Sequence, residues 1–399
     1  MPDKGEEIRF IVSFEDISKR ETFLSKQKDL KILKKFDFIP SINLYLTSQK
    51  VKDLEKNNLI RTIEEDQKLY PCIFDVLEIL ELNNYRKSHI SYTGKNVNIG
   101  IIDNGINKRF EAISDIILNE FYLTKRKVQE ITHGTIMATI IGNQYRDNEG
   151  IFLGIAPNAK IIDFNISNSD NEYYFSSVLE ILDLIISQNI EIDIIFIPFT
   201  TINSSDGTDI LSLACDSLVN KNIIIVCPAG NFGPNDHTIG SPGAAKKVIT
   251  IGSLTKDLSV SNFSGRGPTL DDRSKPDFCL PGTKILIPLS NELNVKVSGT
   301  SVSAAIGVGI IALIKEFNPN TSYSDVLEIL KKATIDLDDD KTSQGNGIIN
   351  IVNLFKNLGL FQEKIIPYNN LIKKSFKITI GFILFFVILY YFVYFFRVE

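Results

Sequence analysis

Asp103, His133, Asn231 and Ser301 stand where the chain can do nucleophilic chemistry. Asp103 closes the apolar run VNIGIIDNGI, so a strand delivers its carboxylate into an Asn104-Gly105 turn; an Asp ahead of Asn-Gly can equally be a plain turn residue. His133, in THGT, precedes an apolar stretch containing Ala138, which sets the imidazole near a helix start, where a structural histidine is the blander role. Ser301, in SGTSVSAAIGVGIIALI, follows Gly299 and Thr300 into a helix of small and aliphatic residues. It can serve as an N-cap, or as a nucleophilic hydroxyl among the free N–H groups and positive potential of a helix N-terminus. Together these are the parts of a triad, in which a base takes the serine proton and an acid holds the imidazole in the required tautomer. Asn231, in VCPAGNFG, adds a side-chain N–H at another strand end that can stabilise the oxyanion of a tetrahedral intermediate; the alternative is an Asx turn beside Gly230 and Gly233.

The elements that must position these groups follow from the hydropathy rhythm. From Lys95 onward, strongly apolar strands alternate with helices, the signature of a parallel sheet covered on both faces. Strands are expected at 98–102, 160–166, 193–199, 222–226 and 247–251, and helices at 135–142, 173–188, 210–219, 301–317 and 323–333. The expected fold class is therefore α/β with a doubly wound, mostly parallel sheet, whose chemistry lies beyond the carboxyl ends of the strands. Ahead of it, strands at 8–15, 30–38, 42–47 and 60–64, with helices at 17–30 and from Ser48, give the order βαββαβ, a small ferredoxin-like α+β unit.

At the other end, residues 378–396 read ITIGFILFFVILYYFVYFF without a charge, enough at about 1.5 Å per residue to cross most of a hydrocarbon layer of about 30 Å. We expect one C-terminal transmembrane helix there and a juxtamembrane linker at 361–377. Lys373, Lys374 and Lys377 outnumber Arg397 across the span, and Met1 to Glu7 is too charged for a secretory signal. Both favour a single-pass C-terminal anchor with the preceding domain cytoplasmic, an extracellular placement being the alternative.

Composition narrows the function classes. Lys plus Arg number 43 against 48 Asp plus Glu, a formal charge of −5, so the footprint of a nucleic-acid binder is absent and no nucleic-acid partner is expected. Cys72, Cys215, Cys227 and Cys279 lack the close spacing of a zinc site and read as reduced core residues. With His89, His133 and His237 as the whole histidine complement, a histidine-rich metal centre is not expected.

The stretches YTGKNVNIGIIDNGI, HGT, PAGN and SGTS, in the order Asp, His, Asn, Ser, resemble the subtilisin-like serine proteases over residues 90 to 335. The resemblance implies a serine endopeptidase with Asp103 orienting, His133 as general base and acid, Ser301 as nucleophile, and Asn231 forming the oxyanion hole with the Ser301 backbone N–H. It implies substrate-binding roles for Pro198, Phe199, Thr200, Ala229 and Gly230. It also likens KFDFIPSINLYLT, its following helix and IRTIEED to the family's inhibitor-like propeptide, which gives a propeptide domain at 1–70 acting as intramolecular inhibitor and a peptidase domain at 71–360. Cleavage by the chain's own active site is expected between about Lys68 and Asp75.

Departures from the family pattern bear on specificity. Ile136 and Thr139 stand in HGTIMAT where a second histidine and a glycine are usual, and Ala305 and Ile306 replace Pro and His after the serine motif. None of these carries a proton in the mechanism. Pro198, Phe199 and Thr200 occupy the place of a Ser-Leu-Gly run that pairs with the substrate backbone, which points to a narrow, dedicated peptide or protein substrate. No cofactor is required; calcium is an optional ion, for which the loop 143–150, NQYRDNEG, offers Asp147 and neighbouring oxygens, as a solvated polar loop also would. Two rival readings are a catalytically silent scaffold that binds a peptide or protein partner, and an esterase; the latter lacks a G-x-S-x-G elbow around Ser301.

Overall fold

The computed structural model describes residues 7–27, 29–36, 40–65, 80, 82, 92–123, 128, 131–148, 150–167, 173–290 and 293–359. The expected transmembrane helix, the linker before it and the expected cleavage region lie outside the described residues. The chain divides into two compact units, Met1–Tyr70 and Pro71–Glu399.

In the first unit, β1 (Ile8–Phe14), α1 (Ile17–Lys26), β2 (Ile32–Lys35), β3 (Ser41–Leu46), α2 (Ser48–Leu54) and β4 (Ile60–Glu65) form an antiparallel sheet of order β2-β3-β1-β4. Both helices start where a side chain can take an orphan N–H: Asp16 accepts from Lys19 N at 2.8 Å and Thr47 from Lys50 N at 3.3 Å. Alternation along the strands sends Val12 and Phe14, and Ile42, Leu44 and Leu46, to one face, where they bury Phe23 and Leu54.

The second unit holds β5 (Asn98–Asp103), β6 (Ile117–Tyr122), β7 (Lys160–Asn165), β8 (Ile194–Phe196), β9 (Ile224–Pro228), β10 (Ile249–Leu254), β11 (Phe278–Pro281), the antiparallel hairpin β12 (Ile285–Pro288) and β13 (Asn294–Val297), and the short β14 (Thr334–Ile335) and β15 (Ile348–Ile349). The large sheet has the order β14-β15-β11-β10-β9-β8-β5-β7-β6 and is parallel apart from its β14–β15 edge. Successive residues of each strand serve opposite faces. Ile99, Ile101, Ile194, Phe196, Ile224 and Val226 meet α3 (His133–Gly142) and α6 (Thr300–Phe317). Ile102, Ile195, Ile197, Ile225 and Cys227 meet α4 (Phe175–Ser187) and α5 (Ile210–Val219). The remaining α-helices among the described residues are α7 (Tyr323–Lys332), α8 (Lys341–Gln344) and α9 (Ile351–Asn357).

Helix α6 has no polar face because it runs through the core: fifteen of its residues, from Thr300 to Lys315, are buried. Among the described residues it is the one helix long and apolar enough to cross a membrane, and 89% of its apolar window is buried inside the protein, as a core helix should be. Its glycines permit close packing; a Cβ on Gly309 would lie 2.5 Å from Ile155 Cβ. Cys215, Cys227 and Cys279 are buried free thiols, and burial pushes all three well above the ordinary thiol range.

The chain leaves β5 toward β7 on one side and later returns to β8 on the other, so the sheet order reverses at β5. A crevice opens beyond the carboxyl ends of the strands at such a switch point. Asp103 is the last residue of β5.

Candidate active site

Three segments converge on that crevice. The turn after β5 is held against the start of α3: Thr132 caps the helix by accepting Thr135 N at 3.1 Å, and donates its hydroxyl to Gly105 O at 2.5 Å. Asn104 Oδ1 accepts Gly134 N at 3.0 Å, and Thr135 Oγ1 accepts Asn107 N at 2.8 Å. Gly134 is required by this approach, since a Cβ there would lie 2.8 Å from Gly105 O and 3.1 Å from Asp103 Cβ. These contacts set His133 directly over Asp103.

The resulting geometry is a continuous chain. Asp103, fully buried, accepts from Asn104 N on Oδ1 at 2.7 Å and from His133 Nδ1 on Oδ2 at 2.7 Å. With Nδ1 committed as donor, His133 Nε2 is the acceptor for the Ser301 hydroxyl, 3.0 Å away. Burial pushes the His133 imidazole down while the Asp103 carboxylate, by its charge and its hydrogen bond, pushes it up; the net displacement is upward from 6.5. The ring remains 35% exposed, open to an incoming substrate.

Ser301 is the second residue of α6, whose N-cap is Gly299, so its side chain does not cap the helix and is free to meet the imidazole. In the first turn of α6 Val302 N donates to Gly299 O at 3.1 Å, and Thr300 N is taken by a side chain from the β9 loop. Asn231 follows β9, and its Oδ1 accepts both Thr300 N and Thr300 Oγ1 at 2.9 Å. This fixes the amide orientation and leaves Nδ2 as the outward donor. A Cβ on Gly299 would sit 3.3 Å from Ser301 Oγ and 3.6 Å from Asn231 Nδ2, so glycine keeps clear the space between the serine hydroxyl and the amide. Thr300 was not singled out in the sequence, although it lies inside SGTS; its buried hydroxyl also accepts Gly230 N at 3.2 Å and so joins the β9 loop to the helix.

The expected substrate-binding positions fall on the loops after β8 and β9. Ala229 and Gly230 are buried; Gly230 has φ of 97°, and a Cβ on it would meet Thr200 Cγ2 at 3.0 Å, which brings the two loops side by side. Phe199 has its ring centroid 6.0 Å from that of His133 and stacks on Tyr173 at 4.7 Å. Behind it opens a cavity of about 550 Å³ lined by Tyr173, Phe175, Val178, Ile197, Phe199 and Leu211, among others. Pro198 is buried and has no N–H to donate.

The 143–150 loop closes on itself. Asp147 Oδ1 accepts Ile151 N at 2.8 Å, Asp147 O accepts Gly150 N at 3.0 Å, and Gly150 O accepts from Arg146 at 2.5 Å. These described oxygens serve the loop's own donors, beside a guanidinium, and Glu149 of the same loop lies outside the described residues. Among the described residues no group of three or more His, Cys, Asp or Glu is placed to hold a metal.

Comparison with known proteins bears on the same region. The Subtilase family model matches residues 94–349. Serine protease AprX of Bacillus subtilis (strain 168) is 27% identical over 365 residues, which cover 83% of this chain and 82% of that protein. The major intracellular serine protease of the same strain is 28% identical over 273 residues, 64% of this chain and 81% of that one. Among solved structures, the epidermin leader peptide processing serine protease EpiP of Staphylococcus aureus superposes with a TM-score of 0.59 at 16% identity, covering 90% of this chain and all of that one. A cold-adapted subtilisin-like serine proteinase gives 0.53 at 21% identity, covering 65% and 89%. The structural likenesses carry the fold.

Proposed function

The chain belongs to the subtilase family and is a subtilisin-like serine endopeptidase, and from that premise we propose that Ser301 is its nucleophile, served by His133 and Asp103, in a membrane-tethered processing protease. The observation that carries the catalytic part is the pair of hydrogen bonds running Asp103 to His133 to Ser301 at 2.7 and 3.0 Å.

In the proposed reaction, Ser301 Oγ attacks the scissile carbonyl as His133 Nε2 takes its proton. Asp103 stabilises the imidazolium without accepting the proton. Asn231 Nδ2 and the Ser301 N–H stabilise the oxyanion, after which His133 passes the proton to the leaving amine and the acyl-enzyme forms on Ser301. Water then enters, gives a proton to His133 and attacks the ester, and Ser301 recovers its proton as the acid product leaves. No step runs through a metal.

The Phe199 and Tyr173 cavity supports a preference for a large apolar substrate side chain, and the loss of a donor at Pro198 supports a narrow substrate such as a leader peptide or exported precursor. The first unit acts as intramolecular inhibitor and is released by cleavage between about Lys68 and Asp75, and the 378–396 segment anchors the enzyme with its catalytic unit cytoplasmic.

The test is peptide hydrolysis by the full chain beside Ser301→Ala and His133→Ala, each of which should cost on the order of a millionfold in kcat. Retained activity in either variant overturns the assignment. An intact N-terminus on active enzyme refutes the zymogen, recovery in the soluble fraction refutes the anchor, and digestion of the catalytic unit from outside intact cells refutes its cytoplasmic placement.

A further inference from the structure

Asp163 breaks the pattern of its strand. On β7 the neighbouring same-face residue Ile161 is core, and across the ladder Asp163 pairs with Ile101, yet it is a fully buried carboxyl. Burying a carboxyl is costly unless it is well bonded, and this one is half-satisfied: Oδ2 accepts Ile106 N at 2.8 Å while Oδ1 has no partner among the described residues. Two positions on, buried Asn165 accepts from Ser167 N and Ser167 Oγ on Oδ1, and Nδ2 has no partner among the described residues. Its amide packs where a Gly105 side chain would begin, 2.4 Å from that Cβ position.

These two residues underlie the turn that carries Asp103. From the helix side that turn is anchored through Thr132, Gly134 and Thr135; from the sheet side Asp163 anchors it at Ile106 N, three residues beyond Asp103. We propose that Asp163 is a positioning residue for catalysis, holding the Asp103 turn under His133 through the Ile106 N–H and placing a second acidic group behind the triad. This rests on the triad assignment above.

Among the described residues the charged surroundings are few. Asp103 lies on β5, Glu120 faces Asp163 across the β6 ladder, and Lys108 after β5 pairs with Glu120 at 2.9 Å. Tyr122, also on β6, is pushed up to about 12 by burial and by Asp163 and Glu120. Helix α3 brings no charged side chain except His133. Burial lifts the Asp163 carboxyl to about 7; the Ile106 N–H opposes the rise and Asp103 and Glu120 add to it.

The test compares Asp163→Ala and Asp163→Asn in the full chain by kcat, KM and pH profile. Asn keeps an oxygen for Ile106 N–H but no charge. Asp163→Ala should lose about 10- to 100-fold in kcat with KM within about twofold, because a small misplacement near the chemistry is costly while the substrate loops are elsewhere. Asp163→Asn should keep kcat and KM within about threefold of wild type across the pH profile, because its oxygen still accepts the Ile106 N–H; this rescue separates the hydrogen bond from the loss of the side chain. A folded Asp163→Ala enzyme with wild-type kcat overturns the proposal. So does a folded Asp163→Asn enzyme that loses more than about tenfold in kcat, a readout that survives if the Ala variant does not fold. Ser301→Ala runs in parallel: wild-type turnover there sinks the triad assignment itself, whereas loss there with an unaffected Asp163→Ala sinks this inference alone.

Discussion

Replacing Asp163 by Asn should alter stability in a pH-dependent manner whose sign is set by burial. The carboxyl titrates near 7 in the folded protein against 3.8 ordinarily. Between about pH 4 and about pH 7 the folded state therefore holds a proton that the unfolded chain has released, and the free energy of unfolding falls as pH rises across that window. A rise of roughly three units corresponds to a cost of up to about 4 kcal/mol above neutrality. The Asn side chain carries no such cost, although its unpaired N–H group adds a penalty that does not change with pH. At about 2 °C per kcal/mol for a unit of this size, the Tm of Asp163→Asn relative to its parent should improve by roughly 5–10 °C between about pH 4 and about pH 8. Thermal scans in a Ser301→Ala background, which prevents self-digestion, read this difference directly. A Tm offset that stays constant over that range would refute the reasoning.

Three further outcomes follow from the site. The elevated His133 imidazole must be neutral to accept a proton, so kcat/KM should rise with pH through a midpoint above 6.5; Asp103→Asn should move that limb down and lower kcat by about 10⁴-fold, and an unmoved limb contradicts the cause assigned. Asn231→Ala should cost about 100- to 1000-fold in kcat with little change in KM, measured by steady-state hydrolysis; a loss under tenfold removes Asn231 from the oxyanion hole. Phe199→Ala, which empties the wall of the apolar cavity, should reduce kcat/KM for substrates with a large apolar side chain by about 10- to 200-fold relative to those with a small one, and profiling with a peptide library that finds no such bias rejects the cavity as a specificity pocket.

Much of the site was legible because its residues sit at the ends of apolar strands or beside glycine turns, where side-chain type and position carry information together. Asp103 ends β5 as its motif suggests, and Asn231 follows β9. The expected strand at 193–199 shortens to Ile194–Phe196 because Pro198 has no N–H for a ladder. The helix expected from Thr135 begins at His133, since Thr132 supplies the cap; a threonine ahead of an apolar run was the available signal. Helix α6 begins at Thr300, one residue before the expected start, and Gly299 takes the capping place offered to Ser301. β6 was missed because its exposed edge position mixes polar and apolar residues, and β14 and β15 because two-residue strands carry no period. Asp163 and Thr300 went unmarked for a different reason: their partners lie far along the chain, and neither local hydropathy nor spacing reveals a contact made through tertiary packing.

The most direct measurement is labelling of the full chain with a fluorophosphonate probe, followed by peptide mapping of the adduct. The account predicts one adduct, on Ser301, lost in Ser301→Ala and strongly reduced in His133→Ala, because the hydroxyl is nucleophilic through the imidazole that accepts its proton at 3.0 Å. A folded protein, freed of its first unit, that stays unlabelled or carries the adduct on another serine would contradict it.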